Sequence, residues 1–278
     1  MKNPELIREA LPEHQGWAWK WKAFPLLQLR RQHDQLYDLV FLNPTLLHRC
    51  QTDLASDLSD WMQQEQAEIR LLEPPASPLW RAAMLTMGLP HYQKFFYSRE
   101  LSAETLARPQ PPGSAEYLLE SLADLGEASF LADLQAISEG DPENANWAAR
   151  DWNAQKEFDQ LKAHAGRAFD PKSWLRVSLL DSSATEPATH PIGLILPQVY
   201  PDKPSEGTLF YLGVFPALRQ QKYGRALHQL GLQCLAQAGV TRYVGSTDLR
   251  NGAMQRIFMH NGCEQTRLLT FFQFQGGD

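Results

Sequence analysis

The pattern of apolar and polar positions in the second half of the chain predicts alternating strands and helices. Residues 209–215 are apolar on both faces, which is typical of a central strand. The other predicted strands are 117–119, 174–180, 192–199, 243–246 and 268–274. The predicted helices are 122–137, 152–168, 219–238 and 254–261. This order indicates strands and helices that mix in one α/β layer arrangement.

Residues 1–108 show a fainter version of the second half of that order. Pro44 follows a predicted strand as Pro216 does, and Gly88 ends a predicted helix as Gly262 does. The pattern indicates an internal repeat of weak identity. Any strand–helix–strand–helix segment would look similar, so both interpretations stay open at this point.

A proline-rich stretch at residues 102–115 separates the two halves of the chain. Its prolines and its glycine cannot continue a helix or a central strand. We therefore place a domain boundary near residue 108, with an N-terminal region at 1–108 and a second domain at 109–278. Polar stretches at 139–146 and 181–191 predict loops inside the second domain.

Charge and composition exclude several classes of function. The 278 residues carry a formal net charge of −6, and no basic cluster is present, so no nucleic-acid partner is expected. No apolar run is long enough for a membrane span, and the N-terminus lacks the apolar segment of a signal peptide. The three cysteines lack the spacing of metal ligands, and no metal is expected. These features predict a cytoplasmic protein without a membrane partner.

The turn after the predicted central strand has the character of a phosphate-binding loop. Pro216 ends strand pairing because it has no N–H group. The helix that follows would present unpaired backbone N–H groups and a partial positive charge at its N-terminus. Such a terminus binds phosphate without a special side chain, and Gly224 allows a close approach at its first turn.

The residues of this turn resemble the motif of the GNAT (Gcn5-related) N-acetyltransferases. In that family a strand ending V-x-P precedes R/Q-x-x-G-x-G/A, and here Val214-x-Pro216 precedes RQQKYG at 219–224. A second block, from Asn251 to HNGC at 260–263, is similar to a later family block that begins with Asn and ends with Gly. The resemblance covers roughly residues 115–274. The N-terminal region resembles only the C-terminal half of such a domain and has no phosphate loop.

The resemblance implies a mixed, mainly antiparallel central sheet flanked by helices, preceded by a smaller α/β region of the same kind. It also implies acetyl-CoA as the acyl donor. Backbone groups of Leu212 and Val214 would pair with the pantetheine arm, and Asn251 would lie near the thiol end. The residues implied to hold the pyrophosphate are Arg219, Gln220, Gln221, Lys222, Tyr223, Gly224 and Arg225.

The sequence departs from the family pattern at three positions. Lys222 stands at the first glycine of the loop. With the helical backbone that the helix at 219–238 predicts, Lys222 fits there and its ammonium adds a phosphate contact. The alternative, that its side chain crowds the pyrophosphate and weakens binding, stays open. Phe258 stands where the family places a tyrosine proposed to protonate the departing thiolate, and a phenylalanine has no proton to donate. Thr208 stands where some members have a glutamate base.

Two carboxylates are candidates for the general base. Glu206 precedes Thr208 by two residues and therefore shares its strand face, and Asp248 ends the next strand. The alternative, that Glu206 is a solvated carboxylate in a polar turn, stays open. His228, one helical turn after the loop, is expected to face solvent.

The expected function is acyl-CoA-dependent transfer of an acetyl group to a primary amine by direct attack. The acceptor would be a small molecule or a peptide, and the protein would act as a monomer or a homodimer. The alternative is a catalytically silent acyl-CoA-binding or protein-interaction module on the same fold, which Lys222 and Phe258 motivate.

Overall fold

The computed structural model describes residues 5–12, 15–33, 35–73, 78–102, 109, 111, 116–138, 153–181 and 188–273. The chain divides into two compact units: unit 1 contains 1–96 and 266–278, and unit 2 contains 97–265. The predicted boundary at residue 108 lies outside the described residues, as do the loop at 139–146 and most of the loop at 181–191. That boundary stays a prediction.

Unit 1 contains a sheet with two helices packed on one face. Its elements are β1 (Leu6–Ala10), β2 (Gly16–Trp21), β3 (Phe24–His33), β4 (Leu36–Leu42), α1 (Pro44–Glu65), β5 (Glu68–Glu73), α2 (Pro78–Leu85), most of β6 (His91–Glu100) and most of β12 (Glu264–Phe272). The strand order in this unit is β1-β2-β3-β4-β5-β12-β6. Strands β1 to β4 are antiparallel neighbours, β4 and β5 are parallel, and β5 pairs with β12 in antiparallel fashion.

The core of unit 1 is built around one tryptophan of α1. The ring of Trp61 is 1% exposed, and the rings of Trp19 and Tyr37 meet it edge-on at centroid distances of 5.4 and 5.0 Å. Such edge-to-face contacts add to the large apolar area that each ring buries. The helix begins at Pro44, and the side chain of Asn43 caps it by accepting a hydrogen bond from the Leu46 N–H.

Unit 2 has helices on both faces of its sheet. Its elements are β7 (Glu116–Ser121), α3 (Leu122–Leu125), α4 (Glu127–Ser138), α5 (Ala154–Ala165), β8 (Leu175–Asp181), β9 (Ala188–Tyr200), β10 (Lys203–Val214), α6 (Tyr223–Gln237), β11 (Arg242–Asp248), α7 (Gly252–His260), the end of β6 and the start of β12. The strand order from β6 is β6-β11-β10-β9-β8-β7. Only the β10–β11 pair is parallel among the strand pairings described in this unit. A mixed, mainly antiparallel sheet flanked by helices is therefore confirmed.

Strand β9 is buried on both faces, because two hydrophobic clusters meet across it. Leu194 and Leu196 pack with α4 and α5, and Ile192 and Ile195 pack with α6. Strand β10 contributes to both clusters as well, as the apolar run at 209–215 predicted. The sheet around the predicted loop is thus a rigid support.

The two units repeat one order of elements. The series β4-α1-β5-α2-β6 corresponds to β10-α6-β11-α7-β12, and the strand before each long helix is parallel to the strand after it. Helix α1 is interrupted at Cys50, which has φ −139° and ψ 19°. Cys50 follows Pro44 by the same number of residues as Lys222 follows Pro216. The interruption of α1 therefore lies where the later repeat has its loop, which supports the internal repeat.

The two repeats have exchanged their last strands. Strand β6 ends the first repeat, yet its final residues belong to unit 2, where the Leu101 N–H donates to the Thr241 carbonyl at 2.7 Å. Strand β12 ends the second repeat, yet it pairs with β5 in unit 1. Units 1 and 2 therefore change over at residues 96/97 and 265/266. A sequence pattern does not reveal such an exchange, because strand pairing over long chain separations leaves no local signal.

Within the described residues, no helix is both long enough and apolar enough to cross a membrane.

The exchanged strand stabilises unit 2 through Tyr97. This residue is 2% exposed and its ring stacks on Phe258 at 4.4 Å. We expect Tyr97→Ala to lower the free energy of unfolding by about 3 kcal/mol, because it leaves a cavity over Phe258. Tyr97→Phe keeps the ring and is the matched control, with an expected loss below about 1 kcal/mol. Urea denaturation measures both, and equal stability of the two variants would contradict this role of β6.

Candidate active site

Strands β10 and β11 pair over only two residues. Glu206 is paired with Arg242 and Gly207 with Tyr243, and no further pair between these strands occurs in the described stretch 188–273. On its other side β10 stays paired with β9 as far as Val214, with an irregularity between Leu209 and Leu212. The edge of β10 beyond Gly207 is therefore not paired with β11, and an extended ligand can bond main-chain groups along it.

The loop after β10 begins with a 3₁₀ turn and ends in a left-handed backbone. The 3₁₀ turn spans Pro216–Leu218, and α6 begins only at Tyr223, four residues later than the sequence predicted. Gln220 and Lys222 have φ values of 65° and 68°. The expectation of a helical backbone at Lys222 was therefore wrong. The family motif has glycine at this position, and glycine adopts a positive φ without steric cost. A residue with a Cβ loses about 1 kcal/mol of stability in the same left-handed conformation.

The loop leaves a row of backbone donors unpaired. In the described part of the chain, the N–H groups of residues 220–224 form no hydrogen bond with another residue, and no side chain caps α6. The first amides with a partner are those of Arg225 and Ala226, which both donate to the Lys222 carbonyl. Five adjacent free donors and the positive end of the helix dipole make an anion-binding cradle. The side chains of Lys222 and Arg225 are exposed beside it and add positive charge.

Arg219 supports this loop from inside the protein. Its Nε donates to the Val214 carbonyl at 3.2 Å, and its Nη2 donates to the Ile137 carbonyl at 2.6 Å. The guanidinium thus ties the end of β10 to the last turn of α4. Bonds from a charged donor are roughly twice as strong as neutral ones. The Arg219 side chain therefore bonds two carbonyls of the protein and positions the cradle, and its predicted contact with a pyrophosphate stays a prediction.

Gly224 lies where the first turn of α6 approaches α7. A Cβ at this position would lie 2.9 Å from Cδ1 of Ile257, the flexible end of that side chain, so a larger residue would displace this methyl group. The predicted close approach of Gly224 to a phosphate stays a prediction.

Asn251 and Asp248 occupy the junction between β11 and α7. The side chain of Asn251 caps α7 by accepting from the Met254 N–H at 3.0 Å. Asp248 is 2% exposed, and its two carboxylate oxygens accept from Nε and Nη2 of Arg250 at 2.9 and 3.0 Å. Both predicted site residues therefore form the bonds that shape this turn. The placement of Asn251 near the thiol end of the donor and the role of Asp248 as a base stay predictions.

Glu206 lies at the end of β10 remote from the cradle. Its side chain is 20% exposed, and its oxygens lie 3.9 Å from Nζ of Lys203 and 4.0 Å from Nη1 of Arg242. Thr208, two residues on, is buried at 7% exposure. Glu206 is therefore a half-buried carboxylate on a strand and not in a turn, beside the last pair between β10 and β11. Its role as a base stays a prediction.

Comparison with known proteins places these features in a common fold. No protein-family model matches the sequence, and no curated protein matches it significantly. Among solved structures, the chain is similar to a GCN5-related N-acetyltransferase from Sphaerobacter thermophilus, with a TM-score of 0.51 and 16% identity over 97% of this chain and 84% of that one. It is also similar to a tandem GNAT protein from the clavulanic acid biosynthesis pathway, with a TM-score of 0.51 and 10% identity over 99% and 85% of the two chains.

The chain has the GNAT fold. A third similar structure is the GCN5-related glucosamine N-acetyltransferase region of a fungal multi-domain GH3 β-N-acetylglucosaminidase, with a TM-score of 0.52 and 11% identity over 92% of this chain and 31% of that one. Identities this low establish the fold and no more. Proteins of the GNAT fold are typically acyl-CoA-dependent acetyltransferases, and the fold implies an acyl-CoA substrate.

The cradle suits the phosphates of such a substrate. Its free amides, the helix dipole and the two exposed cations all favour an anion, and the unpaired edge of β10 leads to it. Within the described stretch 35–73 of unit 1 there is no equivalent loop, because α1 begins directly at Pro44 and the Asn43 side chain accepts from an N–H group of its first turn. The described residues therefore contain one cradle in this GNAT fold, and it belongs to unit 2.

Phe258 is a core residue of the GNAT fold in this chain. It is 1% exposed, and its ring packs on Tyr97 and lies edge-on to His228 at a centroid distance of 5.2 Å. The ring has no proton to donate. If this chain transfers an acyl group, the departing thiolate takes its proton from another group.

His228 is buried, so the expectation that it faces solvent was wrong. It is 0% exposed, and its Nδ1 accepts from the Asn261 amide at 2.9 Å. Its Nε2 therefore carries the proton and donates to the Tyr243 hydroxyl at 3.3 Å. Burial, and secondarily the charge of Arg99, lower the pKa of His228 to about 3. The ring thus stays neutral and joins α6, α7 and β11. The leucines near His228 in the sequence could have indicated that the ring is buried, because they extend the apolar face of α6.

The role of Lys222 can be tested with two variants. Lys222→Gly removes the left-handed strain and the charge together, so we expect stability to rise by about 1 kcal/mol and CoA affinity to fall about ten-fold. Lys222→Asn removes the charge but keeps a residue that tolerates this backbone, and it should bind CoA as weakly with a smaller gain in stability. Calorimetry measures the affinities. Tighter binding by the glycine variant would show that the lysine side chain obstructs the cradle.

The buried histidine predicts a specific pH dependence of stability. In the unfolded chain the histidine has a pKa near 6.5, whereas in the folded protein its pKa is about 3. Between these two pH values the unfolded chain binds a proton that the folded protein does not bind. The free energy of unfolding is therefore highest above pH 6.5 and falls as the pH drops toward 3. We expect His228 to contribute about 1 kcal/mol of this loss per pH unit between pH 6 and 4. His228→Asn keeps an acceptor for Asn261 and should lack this part of the slope. Parallel curves for the two proteins in urea denaturation at several pH values would contradict the assignment.

Proposed function

We propose that the chain transfers an acyl group, with acetyl as the expected one, from acyl-CoA to a primary amine. The observation that carries the proposal is the row of free amides at residues 220–224, at the end of the unpaired edge of β10. The amides and the exposed side chains of Lys222 and Arg225 bind the pyrophosphate. Main-chain groups of Leu212 and the Val214 N–H bond the pantetheine arm as a strand would, because the Val214 carbonyl is already held by Arg219.

The protein contributes mainly by holding the two reactants in position. Binding of the donor along β10 fixes the thioester in the sheet, where a backbone N–H polarises its carbonyl. The neutral amine attacks directly, and a well-oriented pair of reactants removes several kcal/mol from the barrier. Glu206 is the proposed base, because it is a half-buried carboxylate that lies beside the residue at which β10 and β11 part.

The second candidate function is a silent acyl-CoA-binding module. It is supported by Phe258, which occupies the position of the family tyrosine and is enclosed in the core. Lys222 does not support the silent module over the transferase. Its left-handed backbone leaves the amides of the cradle free to bind a phosphate, which both functions need.

Release of free thiol from acetyl-CoA over a panel of amines tests the proposal. The panel includes glucosamine, amino acids, a polyamine and a peptide N-terminus, because acceptor sites on this fold lie in loops that the sequence does not identify. Calorimetry with CoA runs alongside, and we expect one binding site per chain. Turnover on at least one amine supports the transferase. Binding without turnover on any amine favours the silent module, and absence of CoA binding contradicts both.

A further inference from the structure

The proposed reaction lacks an obvious proton donor for the departing thiolate. Phe258 supplies none, and the buried His228 is committed to Asn261 and Tyr243. A donor would have to lie near the point where β10 and β11 part, which is at Thr208, the first residue of β10 after the last pair.

One hydroxyl on the neighbouring strand β9 meets this requirement. Thr208 is paired with Gln198 across β9 and β10, so their side chains share a face of the sheet. Tyr200 follows Gln198 by two residues and points to the same face. The Tyr200 hydroxyl is hydrogen-bonded with the Thr208 side chain. The phenol therefore lies beside the residue at which the strands part.

The surroundings of Tyr200 keep its proton in place at neutral pH. Burial raises the pKa of Tyr200, the Thr208 side chain acts against this rise, and the charge of Glu206 adds to it. Tyr243 on β11 also interacts electrostatically with Tyr200. Lys203, which is paired with Tyr200 across the strands, and Arg242 both lie about 4 Å from Glu206. The protonated phenol of Tyr200 on β9 and the carboxylate of Glu206 on β10 thus lie on one face of the sheet.

We propose that Tyr200 donates a proton to the departing thiolate while Glu206 accepts one from the amine; this inference rests on the proposed function. The new bond joins the amine nitrogen to the acyl carbon, and the bond between that carbon and sulfur breaks. The amine proton passes to Glu206, and the phenol proton passes to sulfur. The proton on Glu206 then moves to the Tyr200 phenolate, which restores both groups. The net reaction gives an amide and a free thiol.

Kinetics of Tyr200→Phe tests the donor role. We expect kcat to fall at least about 100-fold while KM for acetyl-CoA changes less than about two-fold, because the ring stays in place and only the proton is lost. The alkaline fall of kcat, which reports ionisation of the phenol, should also disappear. Tyr117→Phe, which removes another buried hydroxyl on β7, is the matched control and should keep wild-type kinetics.

Absorbance at the phenolate band gives a readout that does not need turnover. The pH titration of the wild-type protein minus that of Tyr200→Phe reports the ionisation of Tyr200 alone. Glu206→Gln removes a neighbouring negative charge, so it should shift this titration to lower pH. An unshifted titration would contradict the coupling between the two groups.

The outcomes separate this inference from the proposed function. If the wild-type protein turns over and Tyr200→Phe keeps its kcat, the donor role is wrong and the transferase stands. If no amine is acylated by the wild-type protein, the proposed function fails and the donor role fails with it. If Tyr200→Phe does not fold, Thr208→Val replaces it. That variant removes the hydroxyl beside the phenol, and a kcat equal to that of the wild type would then overturn the proposal.

Discussion

The site in unit 2 depends on how soon β10 and β11 stop pairing. Backbone donors and acceptors inside a sheet are normally bonded, and an interrupted ladder persists only where water or a ligand can take their place. Here the parallel pairing ends at Gly207 and Tyr243, while β10 remains bonded to β9 as far as Val214. The free edge and the amides at residues 220–224 lie on one continuous stretch of chain. One interruption thus supplies both the bonding edge and the route to the anion cradle.

This interruption is tolerated because β11 has a second neighbour. Strand β6 pairs with the other side of β11, the Leu101 N–H bonds the Thr241 carbonyl, and Tyr97 stacks on Phe258. The strand that supports β11 is therefore the last strand of the first repeat. A GNAT domain cut from this chain at the proline-rich stretch would lose that support. The first repeat has no cradle in its described residues, but its last strand, β6, supports β11 of the second repeat, which has one.

The local pattern of the sequence predicted most of the elements and the position of the cradle. The apolar run at 209–215, Pro216 and Gly239 were sufficient for β10 and the end of α6, because each acts through its own backbone or its nearest neighbours. The exchanged strand and the buried His228 were not predictable in this way. Both depend on partners distant in the chain, such as Tyr97 for Phe258 and Asn261 for His228.

The backbone of Lys222 shows a different limit of sequence reasoning. A lysine at a glycine position favours a helical interpretation, since most residues avoid positive φ. The fold overrides this preference at both Gln220 and Lys222. Left-handed residues at two of three consecutive positions are stable only if the surrounding bonds fix the loop. The two carbonyls held by Arg219 and the bond from Gln221 Nε2 to the Ala217 carbonyl supply that support. These bonds hold the loop with its amides unpaired before any ligand arrives, so a bound anion would not have to order the loop.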